Sequence, residues 1–207
     1  MIVCFGDSLT AGFQSPTPQN PMGQATPYAA FLKESLGGLV DIRVSGICGE
    51  LTGEMVSRFD RDVLQWSPSY VIILGGTNDL GCNVPPTEIY KNLTLMYEQA
   101  GLAKTGVIPV TVPSIRIDLD EVGPDGKIWL RQHVERRHEL NGMIREYAVS
   151  KELPVVDLFT ATADASTGQL AAQFSNDGLH LTTDGYRLLA QLLYQQVLAK
   201  IGTNRLV

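Results

Sequence analysis

Apolar residues in this chain fall into short continuous runs, separated by longer stretches in which they recur every three or four positions. The first run, Met1 to Phe5, is uninterrupted and enters Gly6-Asp7-Ser8-Leu9-Thr10-Ala11-Gly12. That is the pattern of a buried strand delivering a glycine-flanked turn to the end of a sheet. Residues 13–23 hold Pro16, Pro18 and Pro21 and cannot form a regular helix, because each proline lacks a donor and restricts its predecessor. A loop bordering the crevice at the strand ends is expected there. Residues 26–36 open on Thr26-Pro27, a cap and a first-turn proline, and continue at helical spacing to Gly37-Gly38, which predicts a helix.

A second strand is expected at 39–44, a glycine-punctuated turn at 45–49, and a helix from about 50 to 59. Tyr70-Val71-Ile72-Ile73-Leu74 reads as a third buried strand running into Gly75-Gly76-Thr77-Asn78-Asp79. A helical pattern covers 87–104 and a fourth strand 106–112, where Pro109 is out of place because strand centres exclude proline. After an irregular stretch at 113–128 come a helix at 129–150, a fifth strand at 153–158 and a last helix at 182–201. Strands alternating with helices predict an α/β protein with a five-stranded parallel sheet covered on both faces. Residues 1–207 are expected to form one domain, without repeats or low-complexity tracts.

Composition narrows the partners. The net charge is −6 at pH 7, and the 16 lysines and arginines form no sustained run, so nucleic acid and anionic membrane are not expected to bind. The densest basic cluster, from Arg131 to Arg137, is interleaved with glutamate and reads as a solvated helix face carrying His133 and His138. No apolar run is long enough to span a bilayer, and the first strand begins at Met1, which as written predicts a cytoplasmic protein. Cys4, Cys48 and Cys82 lack paired spacing and are expected to be reduced packing residues. Asp118-Leu119-Asp120-Glu121-Val122-Gly123 superficially suggests a calcium loop, but Val122 and Trp129 stand where ligands are needed.

The turns after strands one, two and three bring Ser8, Gly49 and Asn78 toward a common crevice. A serine hydroxyl is nearly inert alone, so a nucleophilic Ser8 requires a base, an orienting acid and oxyanion donors. The Ser8 and Gly49 N–H groups and the neutral Asn78 amide supply such donors. Among three histidines, His180 follows Asp177 by three residues, within one turn of chain. The carboxylate can therefore hold the imidazole in the tautomer that accepts the serine proton.

Gly6-Asp7-Ser8-Leu9, Gly49, Gly76-Thr77-Asn78-Asp79 and Asp177-Gly178-Leu179-His180 resemble, in order, the four motif blocks of the SGNH hydrolases, also called GDSL esterases and lipases. The resemblance implies Ser8 as nucleophile, Gly49 and Asn78 with Ser8 in the oxyanion hole, and Asp177 and His180 as orienter and base. It further implies a flavodoxin-like three-layer α/β/α sandwich with no metal or organic cofactor, and it looks closest to the bacterial arylesterase and lysophospholipase-like thioesterase branch. Val44 and Cys48 stand where many members have Asn and Ser, which touches the substrate contacts of that loop more than the glycine donor.

The expected activity is hydrolysis of short-acyl carboxylic esters, thioesters or lysophospholipids through an acyl-enzyme on Ser8, with a small-molecule ester as the substrate. A carbohydrate acetylesterase is the nearest alternative, since the motifs fix the chemistry and leave the alcohol open. A non-catalytic flavodoxin-like binding protein stands further off, because no Gly-x-Gly-x-x-Gly or phosphate-loop lysine is present.

Overall fold

Alternation within the apolar runs sends side chains to two sides of one sheet. In a computed structural model, which describes residues 1–118, 120 and 122–201, the chain begins with β1 (Ile2–Gly6), α1 (Ser8–Ala11), β2 (Phe13–Gln14), β3 (Gln24–Ala25) and α2 (Tyr28–Ser35). It continues through β4 (Ile42–Gly46), α3 (Thr52–Asp62), β5 (Tyr70–Leu74), α4 (Thr77–Gly81), α5 (Pro86–Leu102) and β6 (Gly106–Pro109). Helices α6 (Pro124–Ser150), α7 (Leu158–Thr162), α8 (Thr183–Leu193) and α9 (Ala199–Ile201) complete it, with the π-type stretch Tyr194–Leu198 joining the last two.

The four longer strands lie parallel in the order β4-β1-β5-β6, and β2 and β3 form a small antiparallel hairpin. Ile2, Cys4, Ile72, Leu74 and Ile108 face one side, where Tyr28 and Leu32 of α2 and Leu189 and Leu193 of α8 cover them. Val3, Phe5, Val71, Ile73 and Val107 face the other, under Met55, Phe59, Leu93, Met96, Leu140 and Ile144 from α3, α5 and α6. This is a three-layer α/β/α arrangement, and each such side chain contributes on the order of 1.5–3 kcal/mol by leaving water. In register, Gly6 lies opposite both Gly46 and Leu74. The carboxyl ends of three strands are therefore flush, and the turns leaving them emerge side by side.

Among the described residues the sheet has four strands, not the five expected from the sequence. Residues 153–158 touch its edge through a single parallel bridge, Val110 to Val156, made by Val156 N–H to the Pro109 carbonyl and Thr111 N–H to the Val156 carbonyl. In a parallel ladder the next two donors back along the chain would be the amides of Pro109 and Pro154, and neither exists. On the other side, Asp157 caps α7 by accepting from the Thr160 N–H, which turns the chain out of extension.

Other boundaries shift for local reasons. The second strand is Ile42–Gly46, because Gly37 and Gly38 both adopt positive φ and carry the turn on past Leu39. Helix α2 begins at Tyr28 without a side-chain cap, since the Thr26 hydroxyl accepts from the Gln14 amide instead. The 13–23 segment is framed by the β2–β3 pairing, Phe13 opposite Ala25. Helix α6 starts at Pro124, a proline at its first turn. Within the acidic stretch 118–123, Leu119 and Glu121 lie outside the described residues.

Candidate active site

The turn after β1 places Ser8 at the first residue of α1. Asp7 caps this short helix, its Oδ1 accepting from the Leu9 N–H at 2.9 Å, and the Gly12 N–H closes it on the Ser8 carbonyl. Asp7 is fully buried and its Oδ2 has no partner among the described residues. Burial pushes the Asp7 carboxyl up to about 7 against the pull of the Leu9 N–H, and the charge of Asp79 adds to the rise.

The turn before α8 brings the second half of the site. His180 Nε2 lies 3.2 Å from Ser8 Oγ, across 172 positions of chain, and His180 Nδ1 lies 2.7 Å from Asp177 Oδ2. Asp177 Oδ1 accepts from the backbone N–H groups of Leu179 and His180 at 2.9 and 2.8 Å. Partial burial raises the Asp177 carboxyl, but the His180 ring and these two N–H groups outweigh it and hold it far below the usual carboxylate range. Phe13 packs edge-on against the imidazole, ring centroids 4.6 Å apart. Gly178, at φ +80, passes so close to Arg116 that a Cβ would strike its carbonyl. The Arg116 N–H donates to the Gly178 carbonyl at 2.8 Å.

Gly49 and Asn78 lie on the same cleft as Asp177 and Gly178. Gly49 adopts φ +79 with open space where a Cβ would stand, so the backbone conformation, more than crowding, selects glycine there. Asn78 donates one amide hydrogen to the Glu50 carbonyl at 2.9 Å. This orients the side chain and leaves its second hydrogen unspent. Next to it, the Asp79 carboxylate accepts from the N–H and hydroxyl of Thr52. The ends of α4 and α3 are thereby tied together.

Several site residues carry no sequence motif. Arg58, 5% exposed, donates to both Glu50 carboxylate oxygens, to Asp62 and to the Gly6 carbonyl, bracing the loop that holds Gly49. His133 and Arg137, expected on a solvated face, are buried at 3% and 1% exposure. Burial beside Arg137 and Arg136 pushes the His133 imidazole down to about 4, and its ring lies 4.0 Å from that of Trp129. The available signal was spacing: Trp129, His133, Arg137 and Asn141 recur every four residues and so share one helix face. High charge density masked it. His138 is exposed, as expected, with its ring near Phe159.

The cleft that Gly49, Asn78 and Asp177 share has a volume of about 390 Å³, and neither Ser8 nor His180 lines it. Ile115, Ile117, Trp129 and Leu179 give it apolar walls, whereas Met22 is 92% exposed and takes no part. Cys82 sits at its rim, and Cys4 is buried in the core, which pushes its thiol up to about 12. No described helix is long and apolar enough to cross a membrane.

A serine turn and a histidine turn meeting at the carboxyl edge of a parallel sheet, beneath a cleft, place the molecule among the three-layer α/β hydrolases. The chain belongs to the GDSL-like lipase/acylhydrolase family, matched over residues 4–188, and is a carboxylic ester hydrolase. Similar solved structures include a lipase/acylhydrolase from Enterococcus faecalis, 28% identical with a TM-score of 0.74, covering 96% of this chain and 95% of that one. A GDSL-like lipase from Bacteroides thetaiotaomicron is 23% identical with a TM-score of 0.74, covering 96% and 88%. An acetylxylan esterase from Geobacillus stearothermophilus, a catalytic mutant, is 18% identical with a TM-score of 0.70, covering 94% and 92%. In sequence, the uncharacterized lipoprotein YqeF of Bacillus subtilis is 27% identical over 91% of this chain and 85% of its own length.

Proposed function

We propose that the protein is a serine esterase acting on short-acyl carboxylic esters, thioesters among them, through an acyl-enzyme on Ser8. The observation that carries this reading is the hydrogen-bonded series from Ser8 Oγ through His180 to Asp177. Ser8 Oγ attacks the ester carbonyl while His180 Nε2 takes its proton, and Asp177 keeps the imidazole in the accepting tautomer. The oxyanion is met by the Ser8 and Gly49 N–H groups, which make no hydrogen bond among the described residues, and by the free hydrogen of Asn78. The imidazolium then protonates the departing alkoxide as the acyl–oxygen bond breaks. Water, deprotonated by the same imidazole, releases the acid and restores Ser8.

A carbohydrate acetylesterase is the second reading, favoured by Trp129, whose partly exposed indole at the cleft offers a face for a sugar ring. Acetylated xylo-oligosaccharides turned over with a higher kcat/KM than phenyl acetate would select it. The chemistry common to both is tested with a fluorophosphonate. Covalent labelling is expected on Ser8 and nowhere in Ser8→Ala, with hydrolysis lost in step. Labelling elsewhere, with activity surviving in Ser8→Ala, overturns the proposal.

A further inference from the structure

The cleft lined by Gly49, Asn78 and Asp177 holds two guanidinium groups with unspent donors. Arg137, 1% exposed, donates from Nε to the Pro113 carbonyl at 3.1 Å and from Nη1 to the His133 carbonyl at 3.3 Å. Among the described residues its Nη2 has no protein acceptor and no carboxylate pairs with it. Arg116 donates from Nη2 to the Ser175 carbonyl, and its Nε is a buried donor with no partner among the described residues. Among the described residues, the acidic side chain on the cleft wall is Asp177, already committed to His180. Desolvation and the nearby Arg136 draw the Arg137 guanidinium down to about 10, which still leaves it a cation at neutral pH.

Burying a cation without a counter-ion costs several kcal/mol. In a chain of net charge −6, a locally positive cleft is not a by-product of composition. Guanidinium groups with unspent donors match a carboxylate or phosphate better than any neutral partner. The geometry points to Arg137, with Arg116, as the binding residue for an anionic group on the ester substrate, a carboxylate or phosphate a few atoms from the scissile carbonyl. This specificity rests on the esterase reading of Ser8, and it assigns the substrate class that reading leaves open. Trp129 and His133, the latter neutral, flank the anion's path as an aromatic wall.

The test compares kcat/KM for matched esters with and without a carboxylate. Monoethyl succinate is set against ethyl butyrate to place the anion on the acyl side. 4-Acetoxybenzoate is set against phenyl acetate to place it on the alcohol side. The wild type is expected to favour the anionic ester by about tenfold or more in at least one pair, as a charge-assisted contact supplies. That ratio should collapse toward one in Arg137→Gln, fall in Arg116→Gln and survive in part in Arg137→Lys. Because the two esters of a pair are compared within one variant, a general loss of folded enzyme cancels. A wild-type ratio near or below one in both pairs overturns the inference, and so does a ratio that Arg137→Gln and Arg116→Gln both leave intact. Failure of the wild type to hydrolyse any of the four esters would instead remove the esterase reading beneath it.

Discussion

Asp7 and Ser8 are neighbours with opposite demands, since the serine must reach substrate while the carboxyl beside it is fully buried. The Asp7 carboxyl ordinarily titrates near 3.8 and is pushed to about 7 in the fold. Between those values the folded chain holds a proton that the unfolded chain lacks, so stability falls as pH rises through this window and the penalty is complete above it. Asp62, lowered to about 2 by Arg61, and Asp177 act in the opposite sense. Their stabilisation is present above the ordinary carboxylate value and is lost as pH falls through the folded one. Asp7→Asn keeps the acceptor for Leu9 and removes the charge. By urea unfolding, it should gain about 3 kcal/mol relative to wild type between pH 5 and pH 8; a difference that stays flat with pH contradicts the assignment. At the other end of the site, Asn78→Ala should lower kcat on the order of 10²-fold with KM nearly unchanged, as loss of one oxyanion donor does. A change in KM alone would make Asn78 a binding residue.

At the scale of elements, legibility followed burial. Residues 70–74 were readable because β5 is covered on both faces and nothing interrupts its apolar run. The edge strand β4 is half solvated, with Val44 39% exposed, so its pattern is weak and its start was misplaced. The fifth strand failed because Pro154 looks harmless in a list of apolar residues, whereas pairing depends on the donors it lacks. In α6 the charges concealed a buried stripe that only the four-residue spacing reports. These elements also set the acyl limit. Residues 115–117 and the Trp129 end of α6 wall a cleft of about 390 Å³, while Met22, just before β3, is 92% exposed and does not line it. Each further methylene gains only ~0.8 kcal/mol, and only where a wall covers it. Across p-nitrophenyl esters from acetate to palmitate, kcat/KM should therefore peak between about two and eight carbons and then fall, whereas a steady rise to palmitate would require a long apolar channel.

Over the whole molecule, the site is a consequence of strand register. Gly6, Gly46 and Leu74 end level, so three turns far apart in sequence open onto one edge, and α8 packs against α2 with His180 immediately before it. The motif residues were legible because each is a short polar insertion between apolar runs. The support beneath them, Arg58 under Glu50 and Arg137 in the cleft, was not, because it comes from helix interiors whose inward face only the tertiary packing selects. The central claim is that turnover passes through Ser8. The most direct measurement is intact-protein and peptide mass spectrometry on enzyme mixed with p-nitrophenyl acetate and quenched in acid within the first turnover. The account requires one acetyl group on the peptide containing Ser8, formed as fast as p-nitrophenol is released and absent from Ser8→Ala. Release of p-nitrophenol with no acetyl on that peptide, at a rate Ser8→Ala matches, would contradict it.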